Sequence, residues 1–345
     1  MKLSTENFGK LDGQQITKYT LTNKHDVSIS ILNYGGIWQS FTVPSAHGSL
    51  NLLYATDNAK TYDETASLCA SRIIGRTAGR LAKGTFTIDG KEYHVDTNEN
   101  GNTLHGGPNG IGGAIWHVEP LVGETRSQLV LTYTASHDLD SYPGDLKMTV
   151  IYTLDDNDAV TIDFSASSTA PTLFNPTCHT YWNLSDNDNT IENHLLQING
   201  KYHLECDDEK IPTGRLLPVE STSFDFTRLS RLGDHLSAME KNTEGGFDDI
   251  WAVKPSQGRM DSPIVTLEDG SSHRRVDIFS DRNGLVMYTA NGLHIQGYNR
   301  PANQWMAIAL EPQTLPDTPN HPEFGDVVVR PNQPRHYQIR YEYHA

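Results

Sequence analysis

The sequence predicts an all-β protein, built as a single large antiparallel β-sandwich with very little helix. Apolar and polar residues alternate with a period of two through many short segments, turn residues separate the segments, and only one stretch has helical spacing. The length of 345 residues allows one large domain or two smaller ones. We find no convincing linker, since the loops at 252–263 and 312–334 look like connections, and we assign residues 1–345 to one domain.

Two hairpins carry the clearest strand pattern. Residues 146–154 and 159–165 alternate apolar and polar side chains on either side of a short acidic turn. Residues 85–88 and 91–95 flank Asp89-Gly90, a pair that readily adopts the positive φ values of a tight turn. Both segments are therefore predicted to be antiparallel hairpins.

The remaining elements follow the same pattern, with one exception. Further strands are predicted at 27–32, 128–134, 194–198, 275–279, 285–289 and 336–343. The exception is the stretch 228–240, where Leu229, Leu232, Leu236 and Met239 recur with the spacing of a helix face. Many strands with almost no helix favour the sandwich.

The charge balance narrows the class of partner. The chain has 27 basic and 43 acidic residues, which gives a formal net charge of -16. This charge repels nucleic acid and anionic membrane surfaces, so the expected partner is a neutral small molecule, with no nucleic acid and no membrane. The N-terminus lacks the apolar stretch of a signal peptide, and we expect a cytoplasmic protein.

Glu311 is the most informative single residue. It follows the apolar run 305–310 and precedes Pro312, which predicts a carboxylate at the end of a strand and half-withdrawn from water. Such withdrawal raises the pKa of a carboxyl group toward the range in which it exchanges protons near neutral pH. His105 and His179 are the candidate partners in this exchange.

Taken singly, each candidate has a plainer interpretation. Arg80 is typical of a solvated surface charge, Asp248 of a turn, His105 of a loop cap and His179 of a satisfied core histidine. A thiolate pair of His179 with the preceding cysteine fails, since neighbours on a strand point to opposite faces. His179 and Tyr181 are instead expected to face the same space.

Several common catalytic signatures do not occur. There is no GxSxG elbow, no phosphate-binding loop of the GxxxxGK[ST] type and no HExxH motif. The closest histidines in the sequence, His336 and His344, are eight residues apart, so the short-spaced pairs of many metal sites are missing. A metal site assembled from histidines far apart in the sequence stays open. We predict no metal and no organic cofactor.

Six short segments, taken together, are more specific than any one of them. They are Asn33-Tyr34-Gly35-Gly36, Gly75-Arg76 through Arg80, Asn102 to Gly107, Asn175 to Asn183, Gly246-Phe247-Asp248, and Leu310-Glu311-Pro312-Gln313 with Pro316-Asp317. In these segments and their order, the chain resembles the galactose mutarotase (aldose 1-epimerase) family along most of its length. The resemblance implies a single galactose mutarotase-like β-sandwich, in agreement with the alternation described above.

The resemblance also implies roles for individual residues. Glu311 matches the catalytic base of the family and His179 its catalytic acid, whereas Arg80, His105 and Asp248 match sugar-binding positions. Gly79 and Tyr181 are added to the predicted substrate-binding set, Gly79 because it replaces the asparagine that usually precedes the arginine. Further departures are Cys178 for asparagine, Asp249 for a frequent histidine, and Val286 for a glutamine of some members.

The implied reaction interconverts the α and β anomers of an aldohexose, galactose and also glucose, by acid-base ring opening and closure. Trp182 or Trp251 is expected either to stack on the sugar or to belong to the core. Two other functions stay open: a glycoside hydrolase with Glu311 and Asp248 as its carboxylate pair, or a sugar-binding module without catalysis. The sequence leaves the preferred aldose open, and either a monomer or a homodimer is compatible with it.

Overall fold

The computed structural model describes residues 1–187, 189–256, 262–293 and 295–345. Residues 257–261 of the predicted connection at 252–263 lie outside this description. In the described part, strands dominate and the pairings between named strands are antiparallel. The predicted all-β class with very little helix is confirmed.

The largest sheet has nine strands. In spatial order they are His117–Val122, Arg126–Ala135, Leu146–Asp155, Ala159–Ser168, Arg335–His344, Arg275–Ser280, Val265–Asp269, His194–Ile198 and Ser230–Arg231. The C-terminal strand lies at the centre, paired with residues from both halves of the chain. The sheet therefore joins distant parts of the sequence.

Two further sheets lie opposite parts of this one. The six-stranded sheet contains Tyr181–Trp182, Ile308–Gln313, Gly284–Tyr288, Asp248–Ala252, Tyr202–Cys206 and Pro212–Pro218, in that order. The five-stranded sheet contains Lys2–Leu11, Gln14–Thr22, Ser28–Leu32, Trp38–Ser45 and Gly48–Asn51.

The remaining elements are short. Two-stranded ladders pair Arg80–Leu81 with Thr103–Leu104, Thr172–Leu173 with Val328–Val329, Ile73–Ile74 with Thr177–Cys178, and Thr85–Ile88 with Lys91–His94. The α-helices of the described residues are Ala59–Glu64, His137–Asp140 and Leu232–Met239. Single 3₁₀ turns occur at Ala66–Leu68, Ala82–Gly84, Ile111–Gly113, Thr318–Asn320 and Pro322–Phe324.

The main core lies between the nine-stranded sheet and the other two. It contains buried residues of all three, such as Val150 and Ile162 from the nine-stranded sheet, Phe41 from the five-stranded sheet and Leu310 from the six-stranded sheet. Because side chains alternate between the faces of a strand, the residues on either side of Leu310 face away from this core. This second face of the six-stranded sheet carries the candidate site.

The predicted elements agree with the structure, apart from their ends. Both hairpins form, and the predicted helix is observed at Leu232–Met239. The helix Ala59–Glu64 was not predicted, because six residues are too few for a visible period; Asn58 caps it by accepting from two backbone N–H groups. The prediction that Glu311 ends its strand is wrong, since the strand continues to Gln313.

The assignment of residues 1–345 to one domain stays a prediction. Its support is the main core cluster, which includes side chains from Leu21 near the start of the chain to Tyr343 near its end. None of the described helices is long and apolar enough to cross a bilayer.

Candidate active site

The register of the six-stranded sheet aligns the candidate residues in two rows. Tyr181, Ala309, Tyr288 and Asp248 are successive partners across four strands. Glu311 is aligned with Val286 in the neighbouring strand, and Val286 with Ile250 in the next. Antiparallel pairing thus places residues that are far apart in sequence side by side on one face.

All seven predicted site residues line one pocket on this face, which we call the Glu311 pocket. Its volume is about 330 Å³. The seven are Glu311, His179, Arg80, His105, Asp248, Gly79 and Tyr181. The juxtaposition expected from the sequence is therefore observed, although the roles of the residues are a separate matter.

Glu311 and His179 form the inner end of the pocket. The Nε2 atom of His179 lies 3.3 Å from Oε1 of Glu311. Glu311 is 1 % exposed, so it is fully buried rather than half-withdrawn from water. Its Oε2 atom and Nδ1 of His179 have no hydrogen-bond partner within the protein. Buried polar atoms are rarely left without partners, which makes this pair unusual.

Burial shifts the pKa values of this pair in opposite directions. Loss of water raises the pKa of Glu311 well above its ordinary value, with a further increase from the Asp248 charge that Arg80 opposes. Burial also lowers the pKa of His179 to about 4. The pair therefore favours a state of zero net charge that holds a single proton.

His105 lies beside His179 and is held by the backbone of Gly79. The two imidazole centres are 5.3 Å apart, with the rings at 75°. The backbone N–H of His105 donates to the carbonyl of Gly79 at 3.0 Å, and the N–H of Gly79 donates to Nδ1 of His105 at 3.3 Å. Burial, together with the charges of His179 and Arg80, lowers the pKa of His105 well below its ordinary value. His105 is therefore neutral, with its proton on Nε2.

Gly106 brings the His105 loop against the segment that begins at Gly75. A Cβ atom added to Gly106 would lie 1.9 Å from the carbonyl oxygen of Gly75, and the φ of Gly106 is +88°. Only glycine fits this approach without displacing backbone. The motif glycine therefore fixes where His105 stands.

The opposite end of the pocket is charged. Arg80 donates to both carboxylate oxygens of Glu99, at 2.6 and 3.0 Å, and its Nη2 atom lies 3.6 Å from Oδ2 of Asp248. Burial lowers the pKa of Arg80, but the two carboxylates outweigh burial and raise it overall. Arg80 is a fixed cation with two acidic partners.

A second ion pair lies beyond Asp248. Nζ of Lys210 is 3.0 Å from Glu244 and 4.0 Å from Asp249. Burial raises the pKa of Asp249 to about 6, against the opposing charge of Lys210. Lys210 lines the Glu311 pocket.

Tyr181 supports the pair without offering its hydroxyl group to the pocket. Its ring stacks on His179, with centres 5.0 Å apart and 22° between the planes. Its hydroxyl donates to the carbonyl of Leu68 at 3.1 Å. The expectation that His179 and Tyr181 face the same space is confirmed.

The two tryptophans considered for sugar stacking belong to the core. Trp182 and Trp251 are 0 % exposed and occupy the core face of the six-stranded sheet, one position from Tyr181 and Ile250 on the pocket face. Arg76, four residues before Arg80, is equally remote from the pocket, because it is buried with its Nε 2.6 Å from Asp140. Cys178 is also in the core, opposite His179 as expected.

His105, His179 and Glu311 have ligand atoms within 4.8 Å of one another, a spacing that invites a test as a metal site. Because the lone pair on Nδ1 of His105 accepts the Gly79 N–H, the ring proton is on Nε2. A protonated Nε2 has no lone pair for a cation. The set therefore fits hydrogen bonding to a substrate oxygen better than metal coordination.

Several lining residues were missed by sequence reasoning. They are Ser67, Leu68, Leu104, Cys206, Lys210, Ile250, Tyr288, Leu293, Ile295 and Pro316. Tyr288 had a usable signal, because it is two positions from Val286 on a predicted strand and so shares its face. Lys210 had none, since it lies in the turn of a hairpin whose two strands were not predicted.

Comparison with known proteins identifies the family of the chain. The family model described as aldose 1-epimerase matches residues 17–342. A protein named maltose epimerase from Levilactobacillus brevis is 36% identical over 344 residues, covering 99% of both chains. Human galactose mutarotase is 33% identical over 265 residues, covering 76% of this chain and 75% of its own.

Solved structures support the same assignment. The crystal structure of a GalM/aldose epimerase homologue from C. elegans has a TM-score of 0.84 and 27% sequence identity, and the match covers 94% of this chain and 98% of that one. The predicted galactose mutarotase-like fold and the isomerase class are therefore confirmed. The chain belongs to the aldose 1-epimerase family.

Proposed function

We propose that the protein interconverts the α and β anomers of an aldohexose, galactose and also glucose, with Glu311 and His179 as the proton-transfer pair. The observation that carries this is the 3.3 Å distance between Nε2 of His179 and Oε1 of Glu311 at the inner end of a pocket of about 330 Å³. Ring opening needs such a pair, because one proton leaves O1 while another reaches the ring oxygen.

Glu311 and His179 together supply and accept all the protons that the reaction moves. Sugar hydroxyls that donate to Glu311 stabilise its carboxylate, so the shared proton moves to Nε2 of His179. Glu311 then takes the O1 proton, the bond between C1 and O5 breaks, and His179 donates to O5. The aldehyde turns about the C1–C2 bond. Closure returns the O5 proton to His179 and the Glu311 proton to O1, giving the other anomer.

The remaining site residues hold the sugar during this turn. Arg80 and Asp248 are charged and partly exposed to the pocket, so they bind hydroxyls through charge-assisted hydrogen bonds. His105 donates from Nε2 to the ring oxygen or a neighbouring hydroxyl. Gly79 acts through its backbone contacts with His105, and Tyr181 through its packing on His179. The chemistry proposed requires neither a metal nor an organic cofactor.

The charges favour a neutral sugar over a phosphorylated one. Among the described residues lining the pocket, the lysine and the arginine are both paired with carboxylates, Lys210 with Glu244 and Arg80 with Glu99 and Asp248. A phosphate would have to compete with those carboxylates for each cation. The net charge of -16 also opposes an anionic substrate.

A reducing disaccharide is the second candidate substrate. The relative from Levilactobacillus brevis is named maltose epimerase, while the human relative is named galactose mutarotase. Maltose and the aldohexoses present the same reacting group, a free C1 hydroxyl beside a ring oxygen. One proton-transfer pair therefore serves either substrate.

Polarimetry tests the proposal. Freshly dissolved α-D-galactose and α-D-glucose should reach their equilibrium rotation faster with the purified protein, in proportion to enzyme concentration. The hydrolase alternative, with Glu311 and Asp248 as its acid pair, requires new reducing ends to form from a glycoside. Binding of sugar without faster decay of rotation would instead identify a module without catalysis, and would contradict the proposal.

A further inference from the structure

The strand that carries Glu311 and the segment that carries His179 are paired through their backbones at one end only. Among the described residues, this backbone pairing consists of Tyr181 with Ala309 and Trp182 with Ile308. On the other side of the proton-transfer pair, the two segments contain Pro176 and Pro312. A proline has no N–H group to donate to a ladder, so the backbones cannot pair regularly there.

Two side chains make the contacts that a ladder would make at this place. The side-chain amide of Asn175 donates from Nδ2 to the carbonyl of Thr314 at 2.9 Å, and its Oδ1 accepts from the N–H of Thr314 at 3.0 Å. The hydroxyl of Thr177 donates to the carbonyl of Pro312 at 2.8 Å. We call these two side chains the Asn175–Thr177 clamp.

The clamp lies close to the proton-transfer pair in both segments. Asn175, Thr177 and His179 are alternate residues, and Cys178 on the other face belongs to the core. Their partners run in the opposite direction along the facing strand, in the order Thr314, Pro312 and Glu311. The Thr177 hydroxyl therefore fixes the main chain one residue from Glu311 and two residues from His179.

The other side of the His179 segment is held by backbone hydrogen bonds. The N–H of His179 donates to the carbonyl of Arg72 at 3.0 Å, and the N–H of Asn175 donates to the carbonyl of Arg76 at 2.8 Å. These bonds attach the segment to its other neighbour. The position of the Glu311 strand against it depends on the short ladder and on the clamp.

The clamp is separate from the surface that a sugar would contact. Asn175 and Thr177 are buried, and neither lines the Glu311 pocket. A buried carbonyl that loses its donor has no water to replace it, so removal of the Thr177 hydroxyl favours a shift of the strand. Any effect of these residues on turnover is therefore expected to act through the residues they hold.

We propose that Asn175 and Thr177 are positioning residues, which set the distance between Nε2 of His179 and Oε1 of Glu311. This inference rests on the proposed function. Without the clamp, the ladder at one end alone would hold the two segments, and the proton-transfer atoms would be free to separate. A displacement of about 1 Å can cost about 10²-fold in rate, even when contacts to the rest of the substrate are kept.

Thr177 allows its hydroxyl and its packing to be tested separately. Thr177→Val keeps the branched shape and removes the hydroxyl, whereas Thr177→Ser keeps the hydroxyl and removes a methyl group. With α-D-glucose and polarimetry, Thr177→Val should lower kcat about tenfold and leave KM within about twofold. Thr177→Ser should keep kcat within about threefold of the parent value, although its Tm should fall because a small cavity is left.

The solvent deuterium isotope effect on kcat separates positioning from a loss of folded protein. We expect a larger isotope effect in Thr177→Val, because proton transfer then limits turnover more fully. Loss of folded protein lowers the apparent kcat without changing this ratio. Thr266→Val is the matched control, since the Thr266 hydroxyl donates to Oδ1 of Asp277 at 2.6 Å in the nine-stranded sheet, away from the Glu311 pocket. Its kinetics should equal those of the parent.

Three results overturn the inference. The first is a parent-like kcat with a lower Tm in Thr177→Val, and the second is a lowered kcat with an unchanged isotope effect. The third is a loss of kcat in Thr177→Ser that equals or exceeds the loss in Thr177→Val, which would assign the effect to packing. If Thr177→Val does not fold, Asn175→Ala takes its place, and an unchanged kcat there overturns the inference.

The parent protein distinguishes this inference from the proposed function. If it accelerates the mutarotation of glucose, the proposed function stands whatever the Thr177 variants do. If it fails on every aldose tested, the proposed function and the inference are both removed.

Discussion

The two ends of the Glu311 pocket differ in burial and in the pairing of their polar groups. At the inner end, Glu311 and His179 are buried with atoms that have no hydrogen-bond partner in the protein. At the outer end, Arg80, Glu99 and Asp248 are partly exposed, and each has a charged partner. The contrast separates a buried pair that has unpaired polar atoms from charged groups that are paired and partly solvated.

This difference indicates where the site lowers the free energy of unfolding in favour of function. An unpaired buried polar atom costs about 1–3 kcal/mol, a cost that a packed apolar side chain would avoid. The ion pairs at the other end, being partly solvated, contribute little to stability but orient Arg80 in advance. Substitutions at the two ends should therefore differ in kind as well as in size.

The largest effect is expected for Glu311→Gln, which keeps the shape of the side chain and removes its ability to accept a proton. We expect kcat for anomer interconversion to fall by about 10²- to 10⁴-fold. Polarimetry gives the rate, and thermal melting should report an unchanged or higher Tm. Near-normal turnover would remove Glu311 from the mechanism and with it the contrast between the two ends.

His179→Asn is expected to lower kcat by roughly 10²-fold or more, since the amide cannot carry the proton to the ring oxygen. The loss should fall on kcat rather than KM. An effect confined to KM would mean that His179 only binds the sugar, and the inner end would then resemble the outer one.

The pH dependence of kcat/KM tests the Glu311–His179 pair in the unmutated protein. The active state holds one proton, and burial disfavours both the doubly protonated and the fully deprotonated pair. As pH falls, the second proton goes to His179, whose pKa is lowered to about 4. We therefore expect kcat/KM to stay level at weakly acidic pH. Below about pH 4 it should fall about tenfold per pH unit. On the alkaline side, activity should persist well above the ordinary pKa of a carboxyl group, because the pKa of Glu311 is raised.

A histidine without a pKa shift provides the comparison for the acid limb of the pH profile. An unperturbed histidine, with a pKa of 6.5, would instead place the acid limb near neutral pH. Circular dichroism at each pH, and recovery of activity after return to pH 7, distinguish titration from unfolding. Half-loss of activity near pH 6.5 with the fold intact would contradict the neutral pair.

The smallest effects are expected at the charged end. Arg80→Ala and Asp248→Ala should each raise KM about tenfold with a smaller change in kcat, since they remove contacts to hydroxyls rather than a proton-transfer group. Arg330→Ala is the matched control, because Arg330 forms a surface ion pair with Asp89, with N and O 2.6 Å apart, and lines no described pocket. Unchanged kinetics in both pocket variants would show that the sugar lies elsewhere.

The sequence anticipated the fold because alternation with period two is a strong signal in long hairpins such as Leu146–Asp155 with Ala159–Ser168. It could not place Glu311 correctly. The segment Ile308–Gln313 is buried on both faces, so it reads as a continuous apolar run in which neither the end nor the depth of the strand is visible.

The candidate site was also predicted only in part from the sequence. The sequence predicted seven site residues, five of them through the resemblance, and all seven line one pocket. It did not reveal Lys210, whose ion pair with Glu244 depends on the register of a hairpin with a bulge. A contact that depends on strand register produces no periodic pattern in a single sequence.

The backbone contact at Gly106 has a consequence for how the sugar enters. Since the loop that carries His105 abuts Gly75 and exchanges hydrogen bonds with Gly79, two walls of the pocket are joined through their main chains and cannot swing apart like a hinge. The entropy of ordering these walls is lost once, when the chain folds, and not at every encounter with substrate. Among the described residues, these two walls are therefore expected to keep their separation while a sugar binds and leaves.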